Sequence, residues 1–138
     1  VGLEGVEGVL IFGSVARGEP TERSDVDLLV LHRGCGITDP VARRRLFYTL
    51  LRDAVGGDVE DITVIDMKFN DFIKPREVTP LFLDIYWDGV VAYDRSGLLE
   101  GFLERVRGRI RDSGLRRVRD GKAYHWVLPK PLRKVEIL

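Results

Sequence analysis

Residues 13–27 read GSVARGEPTERSDVD, from Gly13 to Asp27, and this stretch decides the fold of the 138-residue chain. The apolar run Val9-Leu10-Ile11-Phe12 precedes it, and another apolar run begins at Leu28. Gly13-Ser14 is a small polar turn, and ten residues separate it from Asp25-Val26-Asp27. This layout predicts a phosphate-binding turn that faces a pair of carboxylates at the start of a strand.

Asp25 and Asp27 are two residues apart, so on a strand they point to the same face with Cα atoms about 7 Å apart. Two such carboxylates repel each other unless a cation lies between them, and Mg²⁺ prefers carboxylate oxygens together with substrate phosphates and water. Gly13 lets the backbone pass close to a bulky anion, while Ser14 offers a hydroxyl and an N–H group to phosphate oxygens. The residues therefore predict a site for a metal ion and a triphosphate.

Each of these two motifs is weak on its own, because Asp-X-Asp is common in surface loops and Gly-Ser is a common turn dipeptide. Their conjunction at this spacing, with an apolar run before the first and after the second, favours a functional site over chance.

The spacing of Gly13-Ser14, ten residues and Asp25-Val26-Asp27 resembles the signature of the nucleotidyltransferase superfamily whose fold is named after DNA polymerase beta. The longer string from Phe12 to Leu28 is similar to the small prokaryotic branch, the minimal nucleotidyltransferases. The resemblance covers about residues 6–95. It implies an α/β (α+β) fold in which a mixed sheet carries helices packed on one side.

Family members use a third acidic residue on a later strand, and residues 58–66 contain the candidates. Asp61 directly precedes a β-branched run and matches the family position best. Glu60 is the alternative, because a shift of one residue in strand register would turn it to the same face. We expect Asp58 and Asp66, at the ends of this run, to lie in turns or to cap the next element.

The resemblance implies nucleotidyl transfer by metal-assisted in-line displacement, with Mg²⁺ or Mn²⁺ as cofactor and ATP or another nucleoside triphosphate as substrate. Three carboxylates would be catalytic and would bind the metal: Asp25, Asp27 and Asp61. Gly13 and Ser14 would bind the terminal phosphates. Arg17 has two interpretations, which are a contact to the same phosphates and an ion pair with Glu19 or Glu22.

The family also implies candidate acceptors for the nucleotide. Many minimal nucleotidyltransferases are antitoxins that act with a HEPN-type toxin, some by adenylylating one of its tyrosines, so the leading hypothesis is AMP transfer to a HEPN-type protein. One alternative is a catalytically silent antitoxin that only binds its partner, and another is a transferase that acts on a small molecule or an RNA end. A chain of 138 residues has little room for the extra domain that would shape a small-molecule pocket.

The C-terminal stretch is basic, although the whole chain has a net charge of zero. Residues 105–134 carry eleven basic and two acidic side chains, a net charge of +9. This stretch suggests an anionic partner such as nucleic acid, and the alternative is a solvated helix whose charges face water or the acidic part of the chain itself. The apolar segment Tyr124–Leu128 predicts docking on its own domain or on another subunit, as in a homo-oligomer.

The pattern of strands and helices predicts a single domain, with a catalytic core over residues 1–95 and a C-terminal helix and basic tail over residues 96–138. We expect Asp39-Pro40 to begin a helix, Thr79-Pro80 to begin another and Ser96 to cap the last one. The chain has no run of about twenty apolar residues and no signal-peptide pattern, so we expect a cytoplasmic protein without a membrane partner.

Overall fold

The computed structural model describes residues 5–19, 25–33, 36–56, 61–121, 123–129 and 134–138. Within these residues the strands are Val6–Phe12 (β1), Val26–His32 (β2), Ile62–Lys68 (β3), Val90–Asp94 (β4), Arg116–Asp120 (β5) and Ala123–Val127 (β6). The helices are Gly13–Ala16 (α1), Pro40–Val55 (α2), Phe69–Ile73 (α3), Pro80–Asp88 (α4) and Leu99–Ser113 (α5). Among these described helices, none is both long enough and apolar enough to cross a membrane.

Strands β1 to β4 form one mixed sheet in the order β3-β2-β1-β4. Strand β1 is antiparallel to both of its neighbours, whereas β2 and β3 are parallel. Parallel pairing of successive strands requires a crossover connection, which α2 provides. Strands β5 and β6 form a separate antiparallel hairpin. The mixed sheet that the family resemblance implies is thereby confirmed.

Helices cover both faces of this sheet, which corrects the expectation that they pack on one side. On one face, Phe47 and Leu51 of α2 pack in a cluster with Leu28 of β2. On the opposite face, the adjacent Leu29 belongs to a larger core with residues of α3, α4 and α5. The reason lies in β2, whose apolar residues are buried on both sides, so that each side needs its own helical cover.

The helix starts follow the predicted capping residues in two of three cases. Asp39 caps α2 and Thr79 caps α4, and each is followed by a proline at the first helical position. At α5 the carboxylate of Asp94, rather than Ser96, accepts a hydrogen bond of 3.0 Å from the N–H of Leu99. The inward face of α5 contains the buried residues Leu99, Phe102, Leu103, Val106 and Ile110.

Asp66 lies inside β3 with a fully buried side chain, which corrects the expectation of a turn or cap position. Its carboxylate accepts hydrogen bonds from Nε2 of His32 at 3.0 Å, from Nε of Arg44 at 3.1 Å and from Nε of Arg43. Burial alone would raise the pKa of Asp66, but the hydrogen bonds from the two arginines outweigh burial and lower this pKa. Asp66 therefore ties α2 to the sheet.

Replacing Asp66 by Asn should lower the free energy of unfolding by about 3 kcal/mol, because the mostly buried Arg43 loses its counter-charge. Since folding lowers the pKa of Asp66, its stabilisation is present above the ordinary value of 3.8 and is lost as the pH falls below that value. Urea unfolding at neutral pH measures the loss, and Asp53→Asn at an exposed position on α2 is the control. Equal stability of the two variants would contradict this role.

Candidate active site

The turn after β1 and the start of β2 lie side by side. Phe12, the last residue of β1, pairs with Asp27 in the antiparallel ladder. Gly13 follows with a φ of 75° and begins the single-turn helix α1. A Cβ atom built on Gly13 would lie 2.1 Å from Oδ2 of Asp27. Glycine at this position therefore leaves room for the carboxylate, and the predicted turn contacts one of the predicted acidic residues.

Asp25 and Asp27 influence each other electrostatically. Burial raises the pKa of Asp27, the charge of Asp25 raises this pKa further, and the charge of Arg17 opposes the rise. Asp25 lies exposed one residue before β2. A divalent cation between two such carboxylates would relieve their repulsion, and carboxylate oxygens are the ligands that Mg²⁺ and Mn²⁺ prefer. The donor set of this pair therefore fits the predicted metal ion.

Asp61 lies beside Asp25, at the start of the neighbouring strand. Val26 and Ile62 pair in the parallel ladder between β2 and β3. The N–H of Val26 also donates a hydrogen bond of 3.2 Å to the carbonyl oxygen of Asp61. The two strands thus begin level with each other, and their preceding acidic residues are neighbours. Glu60, the alternative third carboxylate, lies outside the described residues.

Tyr48 of α2 reaches Asp61, a contact that sequence analysis did not identify. Its hydroxyl donates a hydrogen bond of 2.6 Å to Oδ1 of Asp61, and the N–H of Ile62 donates one of 2.8 Å to the same oxygen. These two hydrogen bonds lower the pKa of Asp61. Within the described residues, no three acidic, histidine or cysteine side chains lie close enough to hold one metal ion. Asp25 and Asp27 interact through their charges, whereas Asp61 is hydrogen-bonded to Tyr48.

Arg17 lies in a network of charged and aromatic side chains beside α1. Its guanidinium is 3.6 Å from Glu19 and 3.5 Å from Asp88 of α4, and it lies over the ring of Tyr124 at 4.9 Å. The predicted ion pair with Glu19 is present, and Glu22 lies outside the described residues. The charge of Arg17 also acts on Asp27. Its predicted contact to phosphates stays a prediction.

The hairpin of β5 and β6 docks on α4. Arg117 donates a hydrogen bond of 3.2 Å to Asp84 and two to Asp88, one of them 2.9 Å long. The indole N–H of Trp126 donates to Asp84 over 2.9 Å. The segment Tyr124–Leu128 thus docks on its own chain, as one of the two interpretations predicts. Arg117 of the basic stretch pairs with acidic residues of the catalytic core, while the nucleic-acid partner stays a prediction.

The chain is similar to known nucleotidyltransferases in sequence and in fold. A family model of the nucleotidyltransferase domain matches residues 2–82. A candidate protein adenylyltransferase from Methanocaldococcus jannaschii is 31% identical over 106 residues, which cover 72% of this chain and 66% of that protein. A solved candidate nucleotidyltransferase from Sulfolobus solfataricus shares 21% identity, with a TM-score of 0.45 and 68% of each chain covered.

A solved toxin–antitoxin structure with AMP-PNP shares 19% identity, with a TM-score of 0.48 and coverage of 78% of this chain and 77% of that chain. The likeness to these solved structures is too distant to carry an argument about function. The family model, in contrast, matches more than half of the chain and includes the turn and the carboxylates described above. The chain belongs to the nucleotidyltransferase domain family.

Proposed function

We propose that the protein transfers AMP from ATP to a hydroxyl group of an acceptor protein and releases pyrophosphate. The observation that carries the proposal is the close approach of Gly13 to Asp27, with Asp25 and Asp61 at the starts of two adjacent strands. The relative from M. jannaschii is named as an adenylyltransferase that acts on protein, which supports both the transferred group and the class of acceptor.

The nucleotide would bind across the turn and the carboxylate pair. Asp25 and Asp27 would hold Mg²⁺ or Mn²⁺, which when bound neutralises the triphosphate and polarises the α-phosphate. The backbone N–H groups of Gly13 and Ser14 would donate to the terminal phosphates. Arg17 lies close enough to act on Asp27 electrostatically, and its charge would favour the bound triphosphate.

Asp61 would accept the proton of the attacking hydroxyl. In the step, the acceptor oxygen forms a bond to the α-phosphorus, the bond from that phosphorus to the pyrophosphate oxygen breaks, and the proton passes to Asp61. The hydroxyl of Tyr48 donates to Asp61 over 2.6 Å, which is the hydrogen bond that an acceptor hydroxyl needs with a general base. A tyrosine of the acceptor protein would take the place of Tyr48 at this carboxylate.

A HEPN-type protein is the acceptor that we propose, on the basis of the family resemblance. Incubation with ATP, Mg²⁺ and a HEPN-type protein encoded beside the gene should raise the intact mass of that partner by one AMP and release an equal amount of pyrophosphate. The Asp27→Asn variant is the matched control without transfer. A stable complex without a mass gain would favour an antitoxin that only binds. Transfer to an RNA end or a small molecule without the partner would replace the protein acceptor.

Replacing Gly13 by Ala should slow AMP transfer by about a hundredfold, because the added methyl group would displace the carboxylate of Asp27 and a shift of about 1 Å costs that much. Gly18→Ala is the matched control, since Gly18 has a φ of 72° but no atom of the described residues lies within 4 Å of its Cβ position. Both variants carry backbone strain of about 1 kcal/mol. Transfer rates and urea midpoints measure the two effects. Equal loss of activity in both variants would contradict the steric explanation.

A further inference from the structure

A cavity of about 580 Å³ lies at the edge of the sheet opposite to the proposed nucleotide site. Arg33, which directly follows β2, and Lys68, which ends β3, line this cavity together with Asn70 and Arg43 of the adjoining helices. Asp27 lies near the other end of β2, and this seven-residue strand spans about 20 Å. The cavity is therefore a separate part of the molecule.

The cavity lies where the helices that follow two neighbouring strands pass to opposite faces of the sheet. Strands β2 and β3 are parallel neighbours and end at the same edge. Helix α2, which follows β2, packs on one face, whereas α3, which follows β3, packs on the other. In open α/β sheets, ligands bind outside the carboxyl ends of the strands at such a topological switch point.

The cavity has an excess of positive charge in its wall. Arg33, Arg43 and Lys68 contribute cationic groups to the lining. Among the described residues, the carboxylates that contact these arginines are Asp66, which also binds Arg44, and Glu7, which is 4.0 Å from Arg33. The side chain of Lys68 makes no hydrogen bond or ion pair with any of the described residues. Three arginines therefore share two carboxylates, and the side chain of Lys68 has neither as a partner. This excess of positive charge favours an anionic ligand.

Arg43 is held in a fixed position beside the cavity. Its Nε donates to the buried carboxylate of Asp66, and its Nη1 donates to the carbonyl oxygen of Ile37 over 3.4 Å. A guanidinium that is already ordered by such contacts loses less conformational entropy when an anion binds. The planar fork of a guanidinium matches the oxygens of a phosphate group.

We propose that this cavity binds a phosphate-bearing small molecule, with Arg33, Arg43 and Lys68 contacting its phosphate group. The volume of about 580 Å³ lies within the range of small-molecule sites and accommodates a ligand as large as a mononucleotide. The site needs no divalent metal, because its cationic side chains supply the positive charge. It is separate from the carboxylate pair and does not depend on the transfer reaction.

Calorimetric titration of AMP, pyrophosphate and inorganic phosphate in the presence of EDTA tests this proposal. The protein carries Asp25→Asn and Asp27→Asn, which disable the metal-dependent site. We expect one molecule of at least one of these anions to bind per chain. Removal of one charged hydrogen-bond donor, as in Arg33→Ala or Lys68→Ala, should weaken binding about tenfold.

The matched controls remove the same charges outside the cavity. Arg45→Ala and Lys74→Ala alter exposed positions that do not line it, so binding should be nearly unchanged. Equal weakening in all four variants would overturn the proposal in favour of general charge attraction. Absence of binding by all three anions at millimolar concentration would also overturn it. NMR shifts of the amides of Arg33 and Asn70 would support it, whereas shifts confined to Gly13 would place the anion at the other site.

Discussion

Replacing Asp27 by Asn is expected to slow AMP transfer by about a thousandfold, because metal-assisted charge neutralisation contributes several kcal/mol to such a reaction. The substitution preserves the shape of the side chain but removes one of the two charges that would hold the metal ion. Calorimetry should also show that binding of ATP with Mg²⁺ falls below detection. This outcome would assign the metal to a site that includes Asp27.

The control for this variant is Asp53→Asn, which makes the same chemical change at an exposed position of α2. It should bind ATP with Mg²⁺ as the unmodified protein does. Equal affinity of the Asp27→Asn variant and the unmodified protein would remove Asp27 from the site. If the melting temperature falls in the Asp27→Asn variant but not in the Asp53→Asn variant, the loss of binding would be attributed to a folding defect.

Replacing Asp61 by Asn should slow transfer by about a thousandfold, in the middle of the range for a lost general base, while binding of ATP with Mg²⁺ is largely retained. The reason is that Asp61 would act on the acceptor hydroxyl rather than on the triphosphate. Single-turnover kinetics and calorimetry separate the two effects. Weak binding by this variant would instead place Asp61 among the groups that hold the nucleotide.

Two further variants make this experiment specific. Tyr48→Phe removes the hydrogen bond to Asp61 but leaves the carboxylate in place, so most of the transfer activity should remain. Glu60→Gln should also have little effect. If Glu60→Gln abolishes transfer and Asp61→Asn does not, the third carboxylate is Glu60.

The elements closest to the motif could be predicted from the sequence because their signals are local. The end of β1 follows from an apolar run that stops before Gly13, and the starts of α2 and α4 follow from Asp39-Pro40 and Thr79-Pro80. The approach of Gly13 to Asp27 also follows from short-range spacing, since the two strands that carry them are adjacent. Such features need no knowledge of distant segments.

The remaining features depend on contacts between distant segments. Asp66 resembles a turn residue in the sequence, and its burial becomes favourable only because α2 brings two arginines against it. Strand β5 has no apolar alternation, and its Arg117 is ordered by Asp88, which lies 29 residues earlier. Tyr48 follows a buried phenylalanine at the border of the apolar face of α2, and nothing in this pattern indicates a hydrogen bond to Asp61.

The match to the family model ends at residue 82, inside α4. This position is not a suitable boundary for a fragment of the domain in a chimeric protein. A fragment cut there would lose Asp88, which pairs with Arg17, and also β4, which pairs with β1. Strand β1 would then have unpaired N–H and C=O groups along one side, and such an edge promotes aggregation. The portable unit should therefore extend past the hairpin to Ile137, which is buried in the main core.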